Sequence, residues 1–206
     1  MQDCGPDRWG RVLIERVVRK RLLDAKPYRD LDYVLALDDF SRIGALRFRR
    51  SEGGGFLAEG GNRLPPMLRL GALVAAVDAI HHATETAQDL RFLLGAGSPL
   101  GGARPKSAIV LPSQAQAIAK FPKPDDTRDI AGGEILALEL ARSAGITTAE
   151  HQLGKTAGRH VAVITRFDRV GAGTASLHFG GDPARPGPGW RGFLHGPGRR
   201  HPPARP

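Results

Sequence analysis

The stretch from Gly95 to Lys120 reads GAGSPLGGARPKSAIVLPSQAQAIAK and gathers the residue types that could hold a phosphate. Glycines stand at 95, 97, 101 and 102, interrupted by Ser98 and Pro99. Glycine has no Cβ, so backbone N–H groups can come close to a bound anion, and glycine-rich turns often cradle phosphates. Lys120 closes the stretch and supplies a cation. Fourteen positions further on, Glu134 supplies a carboxylate that could orient that cation.

The loop by itself discriminates poorly. Its spacing is G-x-G-x-x-x-G, one residue longer than the kinase pattern. It is not a P-loop, because Ala103 stands after Gly102 where that motif needs lysine. An ordinary flexible turn between a helix and a hairpin fits the same glycines. The order of parts is more telling: glycine loop, strand, strand lysine, helix glutamate. This is the order in a protein-kinase small lobe, where the lysine holds the α- and β-phosphates and the glutamate orients the lysine.

These groups need elements to position them. Lys106 to Leu111 is a β-prone run, Pro112 to Gln114 a polar turn, and Gln116 to Phe121 a second strand with Lys120 on one face. A helix is expected over 128–144, stopped by Gly145 as a C′ glycine. Ala149–Leu153 and Arg159–Phe167 read as a hairpin turning near Gly154–Gly158, with Val161 and Val163 on one side, Ala162 and Ile164 on the other. Upstream, Asp7 is a plausible N-cap for a helix with an apolar stripe from Trp9 to Leu23. Leu31–Leu37 is a second short helix and Arg42–Phe48 reads as a strand, with glycines 53 to 55 turning the chain after it. Leu68 to Ile80 has helical periodicity, fading at His81-His82, and Ala87 to Leu94 is a further helix leading into the loop. The paired histidines have no Cys or further His at ligand spacing and read as a solvated helix end.

The fold class that follows is α+β: a helical subdomain over 7–94 packed on a kinase-small-lobe-like antiparallel sheet over 105–167, with the 128–144 helix against that sheet. The 206 residues are 41% hydrophobic and 25% charged, ordinary for a globular chain. The lone Cys4 gives no internal disulfide framework, and no apolar run resembles a signal peptide or a membrane span, so a cytoplasmic location is expected. A net charge of +9 invites a nucleic-acid reading. Residues 171–206 carry five Arg and one Asp, however, so much of the excess sits in the tail. That tail also holds nine Gly, seven Pro and four Ala, the residues GC-rich codons yield when read out of frame. It is expected to be frameshifted and disordered.

Several words carry a family resemblance: LDYVLALDDFSRIGALRF, SPLGGARPKSA, AKFPKPDD, GGEILALELARSAGI and TRFDR. In this order, from about Gly5 to Val170, they resemble the HipA family, the serine/threonine kinase toxins of bacterial toxin–antitoxin pairs. The resemblance implies that 1–94 is the helical part of the family's N-terminal region, without its preceding β-rich subdomain, and that 95–170 is the ATP-binding part of the kinase domain. It implies phosphate-loop roles for Gly101, Gly102 and Ala103, the α/β-phosphate contact for Lys120, its acidic partner in Glu134, and an adenine hinge at Arg166 and Phe167. The loop serine that some relatives autophosphorylate would align with Pro99, one position after Ser98. ATP and Mg²⁺ are the implied cofactors, a HipB-like helix-turn-helix antitoxin the implied partner, and a component of the translation machinery the implied substrate. Contact with DNA would be indirect, through the antitoxin. The family's D-G-H-x-x-N segment and later Y-D do not occur in these 206 residues. The expectation is therefore an inactive fragment with weak or residual ATP binding, the alternative being a non-enzymatic fragment that binds the antitoxin.

Overall fold

In the computed structural model the described residues are 5–20, 23, 26–37, 42, 46–49, 51–56, 64–95, 102–170, 173–174, 176–178 and 193–195. Helix α1 spans Arg8–Arg19, and Asp7 caps it by accepting a 2.6 Å hydrogen bond from the Gly10 N–H. Helix α2 is Asp30–Leu35. A 3₁₀ turn at Met67–Arg69 leads into α3, Leu70–His81, and α4 follows at Ala87–Gly95. Their apolar stripes meet: Leu13 and Val17 of α1, Leu73, Val74 and Val77 of α3, and Leu90 and Leu93 of α4 are buried in one core.

That core covers one face of a four-stranded antiparallel sheet. Strands β1, Lys106–Val110, and β2, Gln116–Lys120, form one hairpin; β3, His151–Thr156, and β4, Arg159–Thr165, form another. The strand order is β1-β2-β4-β3. Strand alternation sorts the faces. Ile109, Ala117, Ala119, Val161 and Val163 point into the helical core. Ala162 points the other way and packs under Ala131 and Ile135 of helix α5, Ile130–Ser143. The sheet is thus sandwiched between the helical layer and α5, the α+β arrangement expected from the switch of period at the glycine loop.

Helix α5 ends as the sequence implied. Gly145 takes φ +80°, its N–H donates to the Arg142 carbonyl at 3.0 Å, and the Ile146 N–H donates to the Ala141 carbonyl at 2.9 Å. This is a Schellman cap. Gly145→Ala places a Cβ in left-handed backbone and should cost about 1–2 kcal/mol in urea denaturation, whereas the same change at exposed Gly133 inside the helix should be neutral or stabilising.

Some expectations are corrected. The expected strand Arg42–Phe48 is absent from the described residues of that segment: 46–48 have no ladder, and the one pairing nearby is an isolated bridge from Arg49 to Phe56 across the glycine turn. Helix α1 ends before Lys26-Pro27 as expected, but at Arg19, so Leu23 of the expected stripe lies beyond it. The β3–β4 hairpin turns on Ala157 and Gly158, at φ +49° and +74°, while Gly154 lies inside β3. Cys4, Asp38 and Asp39 fall outside the described residues. So does most of the expected disordered tail; its described parts are short pairings of Gly173–Thr174 with Arg169–Val170, and of Ser176–His178 with Phe193–His195.

Candidate functional site

Lys120 is the last residue of β2, on the face that carries Ala162 across the ladder and faces α5. Glu134 lies in the first turns of α5 on the side toward the sheet. The two meet: the Lys120 Nζ donates to Glu134 Oε1 in an ion pair, each side chain 31% exposed. A pair this open to solvent is worth about 0–1 kcal/mol. The fold therefore does not depend on it, and the pair stays open to solvent.

Across β1–β2 the residue directly opposite Lys120 is Lys106. Its ammonium lies beneath the exit of the glycine loop: a Cβ built on Gly102, at φ +93°, would stand 3.4 Å from Lys106 Nζ. Gly102 and Ala103 are exposed there, whereas Gly101 lies outside the described residues. Arg104, next along, ion-pairs with Asp126, which also accepts 2.8 Å from the Lys123 N–H. Burial pushes the Asp126 carboxyl up, but these bonds outweigh it and hold the group below the usual carboxylate range. The exit of the glycine loop is thereby fastened to the turn after β2.

The expected hinge residues behave differently from each other. The Arg166 N–H donates to the Gln116 carbonyl at 2.8 Å, so Arg166 sits four residues from Lys120 along β2, about 13 Å at 3.3 Å per residue. The Arg166 side chain, however, is turned inward and buried. Its Nε and Nη2 donate to the two Asp168 oxygens at 2.9 and 2.6 Å. Arg166 can offer a base only its backbone. Phe167 is 60% exposed. At the same end, the buried Gln116 amide has neither its Nε2 nor its Oε1 hydrogen-bonded, so a donor and an acceptor are left unsatisfied at the hinge end.

Lys120 lies at one end of β2, and the orphaned Gln116 amide lies at the other. Among the described residues no group of three or more His, Cys, Asp or Glu is placed to hold a metal ion. Sequence reading missed Lys106, since nothing local distinguishes a lysine that opens a strand. It also missed the carboxylate that serves it, Asp7, which is 99 positions away.

Among the described residues no helix is long and apolar enough to cross a membrane. Comparison with curated proteins and with solved structures gives no match. Residues 98–180 match the model of the HipA-like C-terminal domain, from inside the glycine loop through the whole sheet and α5 to a point past Val170. Over residues 98–180, therefore, the chain is similar to the HipA-like C-terminal domain.

Proposed function

We propose that the Lys120 face of the sheet is the ATP-binding half of a HipA-type serine/threonine kinase, and that this chain by itself holds ATP weakly and transfers no phosphate. The observation that carries the reading is the ion pair between Lys120 and Glu134, on the strand next to the one whose Lys106 lies under the Gly102 turn; it is the lysine–glutamate arrangement kinases use for the α- and β-phosphates. ATP supplies the γ-phosphoryl group. The residues of this chain have narrower tasks. Lys120 neutralises phosphate charge, Glu134 holds the lysine extended, the glycine turn offers N–H groups, and the backbone at 166–167 meets the base. The catalytic aspartate and the metal ligands have no counterpart among these residues, so neither proton removal from a hydroxyl nor metal bridging is provided for.

Titration calorimetry with ATP and Mg²⁺ tests the claim together with a phosphotransfer assay. Millimolar affinity, about −4 kcal/mol, should vanish in Lys120→Ala, with no transfer in either protein. Micromolar binding, or any Lys120-dependent transfer, would overturn the partial-site reading. A second reading has its own observation: α5 is apolar on its outer side as well, with Leu136 60% and Leu140 61% exposed. That face suits a module that docks on a partner protein, by family a helix-turn-helix antitoxin in the cytoplasm. Such a module would be indifferent to Lys120→Ala, which separates the two readings.

A further inference from the structure

Asp7 stands at the head of α1, in the helical layer and outside the HipA-like match. Its Oδ1 accepts from the Gly10 N–H at 2.6 Å, the ordinary work of an N-cap. Its Oδ2 lies 2.6 Å from Lys106 Nζ, and both side chains are 3% exposed. Two residues on, Trp9 donates its indole Nε1–H to the Lys106 carbonyl at 3.1 Å. The head of one helix thus grips both the side chain and the backbone of the first residue of β1. Lys106 in turn lies under the positive-φ Gly102 and directly across the ladder from Lys120.

We infer that Asp7 is a positioning residue for the phosphate end of the site, acting through Lys106 to fix the exit of the glycine loop against the Lys120 strand. A helix cap alone needs one carboxylate oxygen, and the second is committed to a buried lysine on the sheet. Lys106 and Lys120 are paired across the ladder, but their ammonium groups go to carboxylates in different layers: Glu134 on α5 holds Lys120, and Asp7 at the head of α1 holds Lys106 under the Gly102 turn. Asp7→Asn retains a cap acceptor but withdraws the charge from Lys106, which frees the lysine and the Gly102 turn from a single arrangement.

The inference rests on the nucleotide reading, and the test separates the two. Full-length chain and its Asp7→Asn, Lys106→Met and doubly substituted variants are titrated with inorganic triphosphate and with adenosine, followed by heteronuclear NMR. Asp7→Asn should weaken triphosphate at least fivefold and change adenosine less than twofold. In the Lys106→Met background, Asp7→Asn should have no further effect on triphosphate, because the residue it acts through is gone. Equal losses for both ligands, or the same loss in both backgrounds, would overturn the inference in favour of a general structural role. Removing both buried charges leaves neither one uncompensated, so the double variant keeps the comparison available where a single variant folds poorly. If the wild-type chain binds neither probe, the proposed function falls, and hydrogen exchange of the 102–106 amides decides the clamp. Protection unchanged by Asp7→Asn would then overturn it; at least fivefold faster exchange would uphold it.

Discussion

Asp168→Asn should destabilise the chain by about 3–5 kcal/mol, because it leaves a buried guanidinium without its carboxylate. The Arg166 side chain is 2% exposed and holds both Asp168 oxygens in a forked pair. The same guanidinium donates to the Arg42 carbonyl at 3.3 Å, and Arg169 donates to that carbonyl too. Arg42 is itself buried and donates to the Val34 and Leu37 carbonyls at 3.0 and 2.9 Å, at the end of α2. Three arginines therefore converge where the last turn of sheet meets the helical layer. Burial, and after it the neighbouring Arg166 charge, lowers the pKa of Arg169. Urea denaturation of the two proteins gives the difference directly. A loss below about 1 kcal/mol would mean the pair behaves as a solvated surface contact.

The same pair makes the chain sensitive to acid. Burial pushes the Asp168 carboxyl up, but the Arg166 hydrogen bonds and charge prevail and hold its pKa below the usual 3.8. A carboxyl depressed on folding contributes stability that is fully present above its unfolded pKa. The contribution is lost as pH falls through the lower, folded value. The wild-type urea midpoint should therefore fall below about pH 4 more steeply than that of Asp168→Asn. Glu85 and Asp126 add to the slope in both proteins: burial pushes both up, but a backbone hydrogen bond and Arg16 hold Glu85, and Arg104 and the Lys123 N–H hold Asp126, below the ordinary range. The comparison isolates the part due to Asp168.

How much of this was legible in the sequence depended on the range of the interaction. The Lys120–Glu134 contact follows from two short-range rules, strand alternation that puts Lys120 on the α5 face and a helix that begins soon after β2. Both rules act within fourteen residues, and the contact is present. The α3 stripe was legible for the same reason. Asp7 and Lys106 lie 99 positions apart, and only packing of α1 on the sheet brings them together. Arg42–Phe48 has strand-like composition, but β-propensity acts through neighbouring strands, and no described strand lies beside it. Gly154 looked like a turn residue. It is instead a buried strand glycine, at which a Cβ would stand 3.4 Å from the Leu70 side chain, an ordinary contact. Arg166 was read as facing a base, yet its charge is committed to Asp168 two residues later, within the same TRFDR word.

Phe121→Ala should be the most damaging single truncation near the site, while Phe167→Ala should be nearly silent. Phe121 follows Lys120 immediately, is 1% exposed, and sits in the core cluster with Leu13, Val74 and Val163. Its N–H donates to the Pro105 carbonyl at 2.9 Å, which extends the β1–β2 ladder just past Lys120. The ring is therefore the peg that holds the lysine end of β2 down on the helical layer. Removing it loses the transfer free energy of the ring and leaves a cavity bounded by three helices and a sheet. Such a site cannot collapse easily, and about 3–5 kcal/mol is expected. Phe167 is mostly in water, and truncation there should stay within about 0.5 kcal/mol. Urea midpoints of the two variants measure the contrast, and Phe121→Leu, which keeps most of the volume, should fall between them. Because Lys120 is displaced only when its neighbour's peg is lost, Phe121→Ala should also erase the NMR shifts that triphosphate induces at Lys120. Phe167→Ala should leave those shifts in place. Equal stability losses at the two phenylalanines would mean that β2 is not anchored through Phe121, and the site's rigidity would then have to come from the ion pairs alone.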